Sequence, residues 1–366
     1  NSTGGGEAVV TTVHDNFSLS AGGYYYDTDG FRKNNDIEHE IYNVYGQVAL
    51  TPTINVQAEY RYRDTENGDL AMNFDPDDFS KNFNHKFREN TARAGLKFTP
   101  SNDSTVLLSF IYSDIDESST DSSSETEEIP ELPPFPLVFD IDDATETDAS
   151  DEAYQYEAQY LFNAEHFNIT AGATHATVDQ VFKYNLTTMF TPLPFFIPEQ
   201  PLPVSGRDTS TIDDTRGYVY GNIQPDDGVV LTLGLSYQKY DEEGLDFNRF
   251  NQKFGLQWNI TNAVRFRSAY FRVVKPALSS NRTLEPTQVA GFNQLFDDPS
   301  GTRSTGYGAG LDVDVTRNLS LGEEMSKRAM DTPEFDTDFY AVVEVETAWR
   351  HRASGCGSAA DRWSGS

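Results

Sequence analysis

A chain of 366 residues with a formal charge of −31 has no electrostatic basis for binding nucleic acid. It holds no run of 18 or more apolar residues, which rules out a transmembrane helix, and its lone Cys356 excludes a disulfide framework or a cysteine-based zinc site. Aromatic residues reach 13%, too many for a disordered acidic chain, so an ordered fold is expected.

Residues 1–15 are expected to be an N-terminal linker. No secretory signal pattern opens them, so the chain is expected to be cytosolic or cut from something longer. A period of two then takes over. Phe17 to Tyr25 is a weak strand, followed by Tyr42, Val44, Val48 and Leu50 on one face. In Ile54 to Arg63, Ile54, Val56, Ala58, Tyr60 and Tyr62 alternate with Asn55, Gln57, Glu59, Arg61 and Arg63, which is a strand reading with little competition. The pattern recurs around residues 92–98, 106–112, 154–162, 167–173 and 229–237, then at 254–258, 264–270 and 307–315. Weaker matches at 218–223 and 319–325 bring the expectation to about 13 strands.

The connections separate the all-β architectures. Short joints are expected at 51–53, 99–104, 163–166, 224–228, 259–263 and 316–318. Long polar loops are expected at 26–40, 64–89, 113–152, 179–214 and 275–306, with a shorter one at Asp241 to Arg249. Short and long alternate throughout, which places every long loop at one end. An outer-membrane barrel has that asymmetry, with short periplasmic turns and long extracellular loops. The fold class expected is therefore an all-β, antiparallel up-and-down transmembrane β-barrel over residues 16–346, incomplete at one or both ends. A further strand at Phe339 to Val345 would help it to close. Tyr24, Tyr25, Tyr60, Tyr62, Tyr112, Tyr237, Tyr240 and Tyr270, where strands meet long loops, suit a membrane-interface girdle.

The segment 113–152 stands apart. Between Asp114 and Glu152 lie 15 Asp or Glu and no Lys or Arg, with a serine tract and four prolines, so it is expected to be a solvated, mobile extracellular loop. Residues 347–366 lack alternation and are expected to be an atypical tail, the product of a frameshift or an added sequence.

Three stretches carry a resemblance to a known family: TDGFRKNND from Thr28, VQAEYRYRDTENGDLAMNFDPDDF from Val56, and NRTLEPTQVAGFNQLFDD from Asn281. They resemble the C-terminal barrel of Gram-negative outer-membrane proteins that is often preceded by tetratricopeptide repeats and is related to TonB-dependent-receptor barrels. The loop Glu285-Pro286-Thr287-Gln288 is the most specific part. The resemblance implies a cell outer-membrane location and a transport or secretion role. It also implies outer-membrane lipid, the barrel-assembly machinery, and a periplasmic repeat module or TonB as partners.

Candidate sites follow from the polar faces. Arg61, Arg63, Arg93, Arg265 and Arg267 would line a lumen and favour anionic solutes. Equally, they would pair with Glu59, Glu157, Asp312 and Asp314 and stiffen the wall. Gln155, Gln159 and Gln252 share the polar face. In the loop TPLPFFIPEQPLPV, Phe195, Phe196 and Ile197 could form a constriction or bind a partner. Asp75, Asp77 and Asp78 are weak Ca²⁺ candidates that match no 12-residue calcium loop, and no other metal or cofactor is expected. The sequence holds no GxSxG, phosphate loop or dinucleotide motif, so no enzyme is expected; His175 is the only histidine placed near a loop end. Three functions remain open: a pore passing or exporting a solute, a non-conducting barrel whose loops bind a partner, and a soluble secreted all-β binding protein.

Overall fold

The computed structural model describes residues 2–71, 78–129, 137–193, 200–277, 282–336 and 339–357. Its strands in chain order are β1 (Thr3–His14), β2 (Phe17–Thr28), β3 (Ile37–Thr51), β4 (Ile54–Asn67), β5 (Asn84–Ser101), β6 (Ser104–Ile129), β7 (Leu137–Asn163), β8 (Phe167–Leu193) and β9 (Gln200–Asp226). They continue with β10 (Val229–Glu242), β11 (Leu245–Thr261), β12 (Val264–Val274), β13 (Gln288–Val289), β14 (Phe292–Asn293), β15 (Arg303–Thr316), β16 (Leu319–Asp336) and β17 (Phe339–Gly357). Fifteen form one sheet in sequence order, with β1 and β17 at its two ends, and β13 and β14 form a small hairpin of their own. All 13 expected strands fall within β2 to β12, β15 and β16.

Five stretches differ from the expectation. Residues 3–14, expected as linker, form β1, which pairs with β2 along its whole length. The tail from 347 begins inside β17, which pairs with β16 from Phe339 to Gly357; backbone pairing needs no side-chain alternation, so the altered composition does not end the sheet. The acidic segment 113–152 is strand on both sides of 130–136, in β6 and β7, where the hydroxyls of Ser119 and Thr147 bond at 2.7 Å. Most of 179–214 is likewise strand, in β8 and β9. Asp241 to Arg249 shrinks to the turn Glu243-Gly244, where Gly244 takes a φ of +83° that a side chain would resist.

Packing divides the chain into two compact units. One comprises Asn1–Gly95, Ile111–Tyr154 and Val178–Thr211; the other comprises Leu96–Phe110, Gln155–Thr177 and Ile212–Ser366. In the second unit, β10 states the rule for the sheet. Leu231, Leu233, Leu235 and Tyr237 are exposed, whereas Thr232, Ser236, Gln238 and Tyr240 are buried. A soluble sheet does the reverse. Polar residues inside and apolar residues outside are the alternation of a transmembrane barrel. On the exposed face, Tyr237 meets Phe250 at 4.8 Å between ring centroids, and Tyr270 meets Phe254 at 6.1 Å and Tyr307 at 5.1 Å. Tyr240, expected in that girdle, is fully buried against Phe247 and donates to Glu242 at 2.7 Å. It lies three residues beyond Tyr237, so the pleat turns it to the other face.

Candidate functional site

Between β12 and β15 the second unit's chain leaves the sheet and comes back, and the two ends are tied together. Lys275 N donates to Thr302 O at 2.7 Å, and Gly301 N donates to Lys275 O at 2.9 Å. Between these tied ends, residues 282–296 fold onto the buried polar face of the strands.

Its first anchor is Glu157. Gln155, Glu157 and Gln159 occupy alternate positions of β7 and are all buried. The Glu157 carboxylate accepts from Thr283 Oγ1 at 2.7 Å and Leu284 N at 2.6 Å. Gln155 donates to Arg282 O at 2.8 Å, and Gln159 donates to Leu284 O. Strand side chains thus satisfy loop backbone groups that no ladder serves, as burial demands.

The second anchor is Glu285. Its Oε2 accepts from Arg216 Nη1 at 2.9 Å; its Oε1 accepts from Lys253 Nζ at 2.9 Å and from the Tyr220 hydroxyl at 2.7 Å. Lys253 also donates to Ser236 Oγ at 3.0 Å and lies 4.7 Å from the centre of the Tyr220 ring. Arg216 Nε stands 3.4 Å from Asp214, which accepts from Gln238 at 2.8 Å and from Ala277 N at 3.1 Å. These charges are taken out of water, so only convergent pairing makes the cluster tolerable.

The third anchor is apolar. In the β13–β14 hairpin, Ala290 and Gly291 turn with φ of 50° and 85°. Val289, Ala290 and Phe292 pack against Tyr218, Tyr220, Ala269, Phe271 and Val273. Two wall glycines make the room: a Cβ at Gly255 would stand 3.0 Å from Ala290 and Val289, and one at Gly308 would run into Phe292. Arg328 closes the far end by donating to Asp298, with its guanidinium 4.2 Å from the Phe296 ring.

Of the residues expected at the site, Glu157 joins this clasp. Arg265 and Arg267 meet Asp312 at 3.0 and 2.9 Å, and Arg267 also lies 3.5 Å from Glu324 and 5.2 Å from the Phe292 ring. Asp314 accepts from Ser320 at 2.6 Å instead. In the first unit, Arg93 pairs with Glu59 at 3.0 Å, while Arg63 lies 3.9 Å from Glu89 and over Phe87; Arg61 stands opposite Asn43. Gln252 shares a face with Phe254, and its neighbour Lys253 takes the buried position. His175 bonds with the Thr215 hydroxyl at 2.9 Å. Phe195, Phe196, Ile197, Asp75 and Asp77 lie outside the described residues. Asp78 is described, and among the described residues no group of three His, Cys, Asp or Glu is placed to hold a metal ion.

Arg216, Tyr220, Lys253 and Asp214 are absent from the expected set. Parity was the available signal: Lys253 falls opposite Phe250, Phe254 and Trp258, and Arg216 falls in step with Tyr218 and Tyr220.

The first unit carries a smaller clasp, between the β2–β3 and β4–β5 connections. Asn35 donates to Asp69 O at 2.8 Å, and Asn34 donates to the Ser80 and Phe83 carbonyls at 2.9 Å each. Burial would raise the Asp69 carboxyl, but the amides of Ser80 and Ala71, with Arg32, hold it below its ordinary value. Gly30, at φ +71°, leaves no space for a Cβ beside the Asn35 carbonyl.

A family model described as TonB dependent receptor-like, beta-barrel, matches residues 6–322. No curated protein matches the chain. Similar solved structures include FpvA of P. aeruginosa bound to heterologous pyoverdines, with 13% identity and a TM-score of 0.63 over 98% of this chain and 52% of that one. BauA, the ferric preacinetobactin receptor of Acinetobacter baumannii, shares 11% identity at a TM-score of 0.61, over 95% of this chain and 56% of that one. The RagAB peptide transporter shares 11% identity at 0.57, over 94% and 47%. At such identity the likeness is one of fold, and the chain spans about half the length of these structures.

Proposed function

The chain belongs to the TonB-dependent receptor-like β-barrel family of the Gram-negative outer membrane, and on that premise we propose that it walls a gated route for a solute, with residues 282–302 as the inner gate. One observation carries this reading: the polar, buried face of β7 to β12 is occupied by a loop of the same chain, held by side chains rather than by a backbone ladder. A wall that only stiffened itself would need no such occupant. Uptake is favoured over export because the similar structures are a ferric preacinetobactin receptor and a peptide transporter. Receptors and transporters, rather than enzymes, make up these relatives. TonB is the partner such a barrel would draw energy from. Outer-membrane lipid would meet its apolar face, the barrel-assembly machinery would insert it, and a tetratricopeptide-repeat module would extend it into the periplasm.

Planar-bilayer recording tests the proposal. The whole chain is expected to be largely closed, and deletion of residues 282–296 is expected to open discrete, larger channels. A folded deletion variant that stays silent would overturn the gate.

The second reading is a surface barrel that binds a partner. It is favoured by β6 to β9, each 26 or 27 residues long, since a strand crosses a bilayer in about 9–11. The soluble, secreted reading finds no support, because Leu233, Phe254 and Tyr307 stay exposed.

A further inference from the structure

Three donors from three positions of the wall converge on a single carboxylate. Arg216 and Tyr220 come from β9 and Lys253 from β11, while the carboxylate comes from a loop that joins neither strand. We propose that Arg216, Tyr220 and Lys253 form a carboxylate-binding site of the wall, and that Glu285 is an internal ligand filling it until a carboxylate-bearing solute takes its place. The inference rests on the reading that a solute passes this face.

Four features support it. First, the wall keeps contacts to both cations that do not involve Glu285: Ser236 accepts from Lys253 at 3.0 Å, and the Asp214 carboxylate forms an ion pair with Arg216 at 3.4 Å, so both cations keep a wall partner when Glu285 leaves. Second, charge selects the ligand. Arg216 and Lys253 with Asp214 leave one net positive charge, which a monoanion neutralises and a phosphate dianion overshoots. Third, the wall has capacity to spare, because Arg216 Nη2 is buried with no hydrogen-bond partner among the described residues. Glu285 reaches Arg216 through one oxygen and one nitrogen; a free carboxylate could take the guanidinium through both. Fourth, a buried ion cluster holds a loop no more tightly than apolar side chains of the same volume would. The neighbouring hairpin is already held in that apolar way by Val289 and Phe292. Retention of the loop alone therefore does not account for the charges.

The loop is built to release the carboxylate. Its base is tied by Lys275, Gly301 and Thr302, and Thr283 and Leu284 are held to the wall only through the side chains of Glu157 and Gln159, so Thr283 to Pro286 lifts by breaking side-chain hydrogen bonds without parting any pair of wall strands.

The test uses the detergent-solubilised full chain carrying Glu285→Ala. Its melting temperature is compared in sodium acetate and in sodium chloride of equal ionic strength. In chloride the variant is expected to melt below the wild type. Acetate is expected to restore at least half of that loss, saturably, and to leave the wild type unmoved. Adding Lys253→Met to Glu285→Ala is expected to abolish the response. An alanine variant indifferent to acetate would overturn the site, as would an equal response with Lys253→Met present. If the alanine variant assembles poorly, refolding yield becomes the readout: a higher yield in acetate supports the site, and equal yields in both salts overturn it. Bilayer recording on the loop deletion is independent. Silent channels with acetate rescue would remove the gate and keep the site, and open channels without rescue would do the opposite.

Discussion

Lys253 donates to Glu285 at 2.9 Å although the two lie 32 residues apart and Lys253 has no solvent exposure. One is a strand residue and the other a loop residue, and their pairing fixes where the loop may sit. Lys253→Met alone leaves Glu285 with Arg216 as its one cation. It is expected to cost about 3–5 kcal/mol, the usual loss when one partner of a buried pair is removed. The double change Lys253→Met with Glu285→Leu is expected to be less damaging than Lys253→Met alone. Urea unfolding of the four proteins of this cycle, followed by heat-modifiable gel migration, measures it.

Gly308 is the space into which Phe292 fits. Gly308→Val is expected to push the β13–β14 hairpin off the wall at a cost of about 1–3 kcal/mol, as overpacking does, and to leave the sheet paired. Faster proteolysis near Gln288 to Gln294 at unchanged strand content would report it. Resistance equal to the wild type would mean the hairpin is held elsewhere.

Leu233 is 48% exposed and registers with Phe254 on one side and Gly221 on the other. Leu233→Arg is expected to cost about 2–4 kcal/mol in lipid, because the charge would enter the hydrocarbon layer. Near-wild-type stability in liposomes would put that face in water.

Asp312 is shared by Arg265 and Arg267, but unequally. Arg267 is 14% exposed and touches Glu324 and Phe292 as well; Arg265 is 51% exposed. Arg267→Glu is expected to cost about 2 kcal/mol, below the figure for a fully buried pair. Arg265→Glu should cost under about 1 kcal/mol. Reversal potentials under a salt gradient would show whether either arginine also selects ions. Equal thermal loss in the two variants would contradict this ranking.

The Asp69 clasp makes a pH prediction. Its carboxyl is held below the ordinary value in the folded chain, so its contribution is present above the unfolded pKa of about 3.9. That contribution falls away as the pH drops through the lower folded value. The melting difference between the wild type and Asp69→Asn is therefore expected to be constant from pH 7 to about 5 and to vanish in stronger acid. A difference that persists at pH 2 would assign the effect to shape rather than charge.

The period-two pattern was enough, by itself, to place thirteen strands and the faces of residues such as Leu233 and Glu157, because every second side chain shares a face whatever the sheet does. The alternation of short and long connections gave the membrane reading, which the exposure of Leu231, Leu235 and Phe254 supports. Strand length was hidden where the outward residues cease to be apolar. From Asp114 to Ser124 and from Asp142 to Glu152 mostly polar residues fill both parities of the sequence, so β6 and β7 continue with no hydrophobic period to mark them. The expected constriction and calcium positions, at Phe195 to Ile197 and at Asp75 and Asp77, fall outside the described residues. What only the tertiary structure decided is which polar residues meet. Arg216, Lys253 and Glu285 are far apart in sequence and lie in no shared motif. A loop's inward path follows from the room left at Gly255 and Gly308 and from donors on two strands, and no local periodicity encodes that convergence.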